Sequence, residues 1–289
     1  MTSTRPEPTA AHDLPAEIDL RLVVTDMDGT LLDDSSRPPA GLGALIERMR
    51  AHGVAFCPAS GRQLANLRAV LGPGIDDGPV IPENGLFSLV GGVELHSDPM
   101  TRAQAVRVID AVRQVHERGG DVGAVVATRH VAYVERTDEA FTSQVSTYYA
   151  SREAVRDLTE LALDDVLKIA VYDFGVAERD SGPQIRQAVP DLQTVASGLH
   201  WTDVMSTVGS KGRALSIIQE HLGVSPEQTA VFGDYLNDLE LYDRARLGFA
   251  MANAHPGILQ AAPYVAPANT EDGVVYTVNL LLDRLPAGR

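Results

Sequence analysis

The stretch Leu22-Val23-Val24-Thr25-Asp26-Met27-Asp28-Gly29-Thr30 decides how the rest of the chain is read. Its apolar half reads as a buried strand. Its polar half sets two carboxylates two residues apart at the strand's end, where side-chain alternation would turn both to one side. Gly29 lets the backbone turn at once. A strand that delivers two acids to one rim of a sheet places them where open α/β sheets bind ligands. Acids so close repel each other, and a divalent cation would relieve that repulsion. Asp, Gly and Thr also favour ordinary turns, so the pentapeptide takes its meaning from the residues around it.

Outward from that strand the chain alternates. Leu42, Leu45, Ile46 and Met49 recur at helical spacing and stop at Gly53. Residues 54–58 read as a strand ending in Ala59-Ser60-Gly61-Arg62, and a helix follows with Leu64, Leu67, Val70 and Leu71. Residues 79–82 read as a further short strand, ending in Glu83-Asn84-Gly85. Strands alternating with helices imply a parallel sheet with right-handed crossovers.

The rhythm then changes. A hairpin is expected over 86–95, turning at Gly91-Gly92. An amphipathic helix over 103–118 turns Ala105, Val106, Ile109, Val112 and Val115 inward, and a second hairpin flanks Arg129-His130. A mixed helical stretch (138–162), a strand (166–172), a helix (184–188) and paired strands (192–196, 200–205) complete an α+β module. The α/β rhythm resumes with a helix opened by Gly209-Ser210-Lys211-Gly212, a strand running into Gly233-Asp234-Tyr235-Leu236-Asn237-Asp238, a strand over 247–251 and a closing helix over 273–282. The expected organisation is a disordered tail at 1–19, an α/β domain over 20–86 and 199–289, and an α+β insertion at 87–198.

With 39 acidic and 24 basic residues the net charge is −15, which argues against a nucleic acid or an anionic membrane surface as partner. A small phosphorylated molecule is compatible with that charge, because a local cluster of Lys, Arg and metal overrides the global sign. Cys57 is the only cysteine, so no intrachain disulfide is expected. No apolar run approaches the ~18 residues of a membrane span. The first residues lack the layout of a secretory signal, and a cytoplasmic location is expected.

Four short motifs therefore stand at strand ends or a helix start: Asp26-Met27-Asp28-Gly29-Thr30, Ser60-Gly61-Arg62, Lys211, and Gly233 to Asp238. Together they supply what phosphoryl transfer needs. One carboxylate can be a nucleophile and a second can move protons. A hydroxyl and a Lys can hold phosphate oxygens, and further carboxylates can hold Mg²⁺.

On these residues the chain resembles the haloacid dehalogenase (HAD) superfamily, in its Cof-like phosphatase branch with an inserted α+β (type IIB) cap. The likeness extends to Glu83-Asn84-Gly85, Lys168-Ile169, Met251-Ala252-Asn253-Ala254 and Glu271-Asp272-Gly273-Val274, across most of the chain. The resemblance implies a Rossmann-like parallel-sheet core and hydrolysis of small phosphomonoesters, sugar phosphates foremost, through an aspartyl-phosphate. It implies Asp26 as nucleophile and Mg²⁺ ligand. Asp28 would be general acid/base, with its backbone carbonyl also on the metal. Ser60 and Lys211 would bind the transferring phosphoryl group. Asp234 would ligate the metal, with Asp238 and Asn237 at that corner. Gly29, Thr30 and Gly61 would shape or cradle the phosphate site, and Arg62 and Asn84 would contact substrate. A phosphomutase or phosphotransferase acting on sugar phosphates, or a non-catalytic phosphate-binding regulator, are the alternatives on the same residues. Elsewhere Lys168 reads as a strand-end surface residue, Cys57 as a small buried apolar residue, His130 as a turn residue and Trp201 as packing near the module junction.

Overall fold

The structure is a computed structural model that describes residues 7–10 and 13–286. Its centre is a five-stranded parallel sheet in the order Tyr264–Ala266, Leu247–Met251, Thr229–Gly233, Leu22–Thr25, Ala55–Pro58. Strand alternation sorts its residues to two faces. Val23 and Phe232 share one apolar cluster with Leu45 and Met49 of the Leu42–Ala51 helix and Val278 of the Gly273–Leu282 helix. Leu22, Val24 and Val231 share another with Leu215 and Ile218 of the Lys211–Leu222 helix. Helices on both faces explain why these strands read as continuous apolar runs rather than alternating ones.

The register aligns the chemistry. Thr25 stands opposite both Phe232 and Pro58, so three neighbouring strands end at one level. The backbone N–H of Asp26 donates to the Phe232 carbonyl (2.9 Å), and that of Ala59 to the Thr25 carbonyl (2.8 Å). Asp26, Asp234 and Ser60 therefore emerge together on the carboxyl rim.

A second sheet has six strands, in the order Gln193–Ala196, Trp201–Met205, Val166–Asp173, Val122–Thr128, Ala132–Val134, Arg152–Ala154. All its pairs are antiparallel except the last. The Arg102–Glu117 and Ser181–Ala188 helices cover one face, through Ile109, Val112 and Ile185 against Ile169, Val171 and Val204. The other face carries Lys168, Ala170 and Tyr172, with Asp203 and Trp201 opposite Ala170 and Tyr172. A small antiparallel sheet joins Pro79–Val80, Phe87–Val90 and Val93–Ser97.

Four expectations need correction. The hairpin after Gly85 pairs with Pro79–Val80, and Leu86, Phe87 and Leu89 join the same cluster as Val23 and Phe232. The change of layer falls near Met100, which bridges to Val166, rather than at 87. On the return Trp201–Met205 is still a strand of the six-stranded sheet, so 198 is too early. An antiparallel hairpin announces its turn but not its partners, so its layer does not follow from the sequence. The stretch expected to be helical over 138–162 holds a helix only over Glu139–Tyr148 and then a strand, Arg152–Ala154. Residues 1–6 and 11–12 of the expected tail lie outside the described residues. Within the rest, Thr9 hydrogen-bonds Val265 through both backbone and hydroxyl, and Leu14 and Ile18 are buried in the main core. Their apolar spacing of four was the available sign.

Candidate active site

The rim is built around Lys211, the first residue of its helix, whose amino group is wholly buried. It donates to Asp26 Oδ1 and to Asp238 Oδ1, the latter at 2.6 Å. Burial alone would depress this ammonium, yet Asp238 and Asp26 hold it above its usual value. Burial pushes the Asp26 carboxyl up to about 7; Lys211 opposes that rise, while Asp238 and Asp28 add to it. Burial also raises Asp234 well above the carboxylate range, helped by Asp26 and Asp238 and opposed by the Thr30 hydroxyl, which donates to its Oδ1 at 2.9 Å. Asp238 Oδ2 accepts from the backbone N–H of Asp234 (3.1 Å) and Tyr235 (3.2 Å), fixing the loop after Phe232. Gly29 has φ +77°, and a Cβ there would strike the Asp234 carboxylate, so the turn requires glycine on both counts.

Asp26, Asp234 and Asp238 each offer a carboxylate oxygen within 4.8 Å of the others. One Lys offsets three carboxylates, those of Asp26 and Asp238 buried and that of Asp234 half-buried, and every donor is oxygen. That is the donor set of a hard divalent cation, and the residues fit one. The side chain of Asp28 stands apart from this group. It is gripped by Arg62, with Nε donating to Oδ2 at 2.7 Å and Nη2 to Oδ1 at 2.5 Å.

Arg62, expected to contact substrate, is 2% exposed along its side chain. Its remaining donors go to Asn66 Oδ1 (2.8 Å), Ser36 Oγ (3.0 Å) and the Thr147 carbonyl (3.4 Å), and Tyr148 covers the guanidinium at 5.1 Å. Asn84, also expected at the substrate, donates to Asp203 and accepts from Asn237 Nδ2 at 3.0 Å. Asp26, Asp28, Gly29, Ser60, Gly61, Arg62, Asp234 and Asn237 line one cavity of about 390 Å³, while Thr30, Asn84, Lys211 and Asp238 stand behind them.

Lys168 is the residue the sequence misplaced. It is buried, not at a surface, and its Nζ donates to the Gly61 carbonyl at 2.6 Å. It also pairs with Asp203 Oδ1 and Glu83 Oε2, each at 3.3 Å. Burial would lower its pKa, but Asp203 and Glu83 raise it. Burial pushes Glu83 up to about 7 against the pull of Lys168. Glu83 and Asn84 both adopt left-handed φ, +49° and +57°. A Cβ on Gly61 would sit 3.1 Å from Asn84 Oδ1 and 3.4 Å from Lys168 Nζ, so the loop between Ser60 and Arg62 is closely packed from the six-stranded sheet. The signal for Lys168 was its place inside an unbroken apolar strand, in step with Ala170 and Tyr172.

With this fold and site the chain belongs to the haloacid dehalogenase-like hydrolases, whose family profile matches residues 23–278. It is an enzyme of the phosphoric monoester hydrolase type. Among its relatives, the 5-amino-6-(5-phospho-D-ribitylamino)uracil phosphatase YbjI of Escherichia coli is 26% identical over 271 residues, covering 91% of this chain and 96% of that one. The HMP-PP phosphatase of Citrobacter koseri is 25% identical over 260 residues, covering 85% and 89%. The solved structure of SMU.1108c from Streptococcus mutans shares the fold with a TM-score of 0.82 at 23% identity, covering 91% of this chain and 99% of that one. Among the described residues no helix is long and apolar enough to cross a membrane.

Proposed function

We propose that the chain hydrolyses small phosphomonoesters through a phosphorylated Asp26. The contact of Asp26 with buried Lys211, beside Asp234 and Asp238, is the observation that carries this reading. The Asp26 carboxylate attacks phosphorus and the ester oxygen leaves, taking a proton from Asp28. Water then attacks the aspartyl-phosphate and gives a proton back to Asp28. Arg62 holds both oxygens of Asp28 and so orients this carboxyl for the two proton transfers. Lys211 and Ser60 hold the oxygens of the transferring group, and the buried site makes each of those contacts strong. Mg²⁺ held by Asp26, Asp234, Asp238 and the Asp28 carbonyl would neutralise charge on the carboxylates and phosphoryl oxygens. The six-stranded sheet with its helices, from about Met100 to Met205, acts as a cap that excludes bulk water and selects the leaving group.

Two relatives are named for a ribitylaminouracil phosphate and for HMP-PP, and one structural neighbour is described as a HAD subclass IIB sugar phosphatase. All three point to small metabolites as substrates here. Asp26→Asn tests the assignment with acetyl phosphate and phosphate release as readout. The variant keeps its circular dichroism and loses turnover by about three orders of magnitude or more. Activity near that of the unaltered chain would remove Asp26 as nucleophile. Release of phosphate without an added alcohol acceptor distinguishes a phosphatase from a phosphotransferase.

A further inference from the structure

We propose that Lys168 is a positioning residue for phosphoryl transfer, acting on the Ser60 hydroxyl through the Gly61–Arg62 peptide. This rests on the phosphatase reading above and goes beyond it, because it ties the reacting centre to the six-stranded sheet. Lys168 belongs to the Val166–Asp173 strand of that sheet, whereas Ser60 follows the Ala55–Pro58 strand of the parallel one.

The loop from Ser60 to Arg62 is held in part by its own layer. The Ser60 N–H donates to the Ile81 carbonyl at 2.8 Å, the Asn84 N–H to the Ser60 carbonyl at 2.8 Å, and the Glu83 N–H to the Arg62 carbonyl at 3.1 Å. The Gly61 carbonyl is held from the other sheet, by Lys168 Nζ at 2.6 Å. Without a Cβ on Gly61 the peptide that follows it turns freely, so a bond to its carbonyl decides how it lies. Fixing that carbonyl also fixes the N–H across the same plane, because the two point in opposite directions in a trans peptide. With its carbonyl turned to Lys168, this peptide donates the Arg62 N–H to Ser60 Oγ at 3.1 Å. A serine hydroxyl accepts on its lone pairs and donates one hydrogen. Engaged as an acceptor by Arg62, the Ser60 hydroxyl keeps its hydrogen for an oxygen of the transferring group, the task proposed for it above.

The contacts of Lys168 favour positioning over substrate binding or simple charge pairing. An ammonium has three hydrogens. Its partners are the Gly61 carbonyl, Asp203 Oδ1 and Glu83 Oε2, the last two at 3.3 Å. Three partners use the three hydrogens, and the Tyr149 ring lies 5.9 Å from Nζ, so Lys168 lines the cavity without a donor left for substrate. Charge pairing alone would draw Nζ onto the carboxylates, as it draws Lys211 onto Asp26 and Asp238. The shortest contact of Lys168 is instead with a neutral carbonyl. Asp203 and Glu83 keep the ammonium charged, and Gly61 receives its direction. The six-stranded sheet thereby reaches the phosphoryl chemistry itself, as well as the leaving group.

A double-mutant cycle tests this, with acetyl phosphate as substrate and kcat/KM as readout. Lys168→Met and Ser60→Ala each lower it about tenfold or more. The pair together lower it little further than Ser60→Ala alone, because Lys168 acts through the hydroxyl already removed. The loss in Lys168→Met is the same within about threefold for p-nitrophenyl phosphate and ribose 5-phosphate, since the transferred group is shared. Losses that multiply across the cycle, or full activity in Lys168→Met, overturn the proposal. A loss confined to one leaving group also overturns it and makes Lys168 a substrate contact. Where Lys168→Met fails to fold by circular dichroism, the cycle is run in a Glu83→Gln background, in which Asp203, still bonded to Asn84, is the one carboxylate left among the partners of Lys168. An unaltered chain that does not hydrolyse acetyl phosphate sinks the phosphatase reading instead. The same cycle is then read by calorimetric binding of inorganic phosphate in the presence of Mg²⁺. Non-additive losses of affinity support Lys168 as the positioning residue of Ser60; additive losses, or no binding by the unaltered chain, refute it.

Discussion

Replacing Glu83 by Gln should make the protein more stable at high pH than at low pH relative to the unaltered chain. Glu83 is 1% exposed along its side chain, and burial pushes its carboxyl from 4.5 up to about 7. The groups that face it are Lys168 and Asp203 from the six-stranded sheet and Tyr149, which follows the Glu139–Tyr148 helix and whose phenol is raised by burial and then by Glu83. The folded-state pKa lies above the unfolded one. Across the window between 4.5 and 7 the unfolded chain has lost a proton that the folded chain keeps, so stability falls as pH rises and the full penalty stands above 7. Between pH 5.5 and pH 8 the loss amounts to about 2 kcal/mol. Gln is neutral throughout and carries no such slope. Lys168 keeps Asp203 in the variant, and its own titration lies far above the window, so it adds only a constant offset. Thermal unfolding of both proteins at the two pH values is the assay. The difference in Tm, variant minus unaltered, should grow by about 4 °C from pH 5.5 to pH 8, at roughly 2 °C per kcal/mol for a chain of this size. A difference that stays flat, or shrinks, would refute the reasoning that a carboxylate is forced into this buried cluster.

Two other expectations concern the chemistry. Arg62→Lys should lower kcat about tenfold or more with little change in secondary structure, because an ammonium cannot reproduce the two parallel bonds that orient Asp28; an unchanged kcat would show that Asp28 needs no such grip. EDTA should stop turnover and added Mg²⁺ restore it, and Mg²⁺ should also raise Tm by relieving the three-carboxylate group, so a Tm indifferent to Mg²⁺ would count against metal at Asp26, Asp234 and Asp238.

Much of the rim could be read in the chain itself because its motifs are punctuation. An apolar run that ends in Asp, Ser or Gly-Asp marks both a strand end and the residues that strand delivers. Lys168 and Asp203 carried no such mark. They sit mid-strand, and a strand's own sequence does not say which face meets another layer. Arg62 was legible as part of a motif, but not the partner that takes its fork, since Asp28 and Thr147 approach from distant segments. Leu14 and Ile18 are two apolar residues in a stretch that the surrounding polar residues and Pro15 make read as a tail. In each case the missing information was the identity of a neighbour far along the chain.

That distance has a consequence for how the protein comes into being. Asp26 and Lys211 are 185 residues apart, and the strand before Asp26 pairs with Ala55–Pro58 on one side and Thr229–Gly233 on the other. During synthesis its first partner is available early. Its second appears only after some 170 further residues have been added, which at about 5–20 residues per second takes roughly 10–35 s. Throughout that interval the strand that leads into Asp26 has one bare edge, an invitation to mispairing. The six-stranded sheet, whose strands all fall between residues 122 and 205, can close within the same interval. The ribosome therefore delivers the whole six-stranded sheet before the parallel sheet that carries Asp26 and Asp234 can be completed.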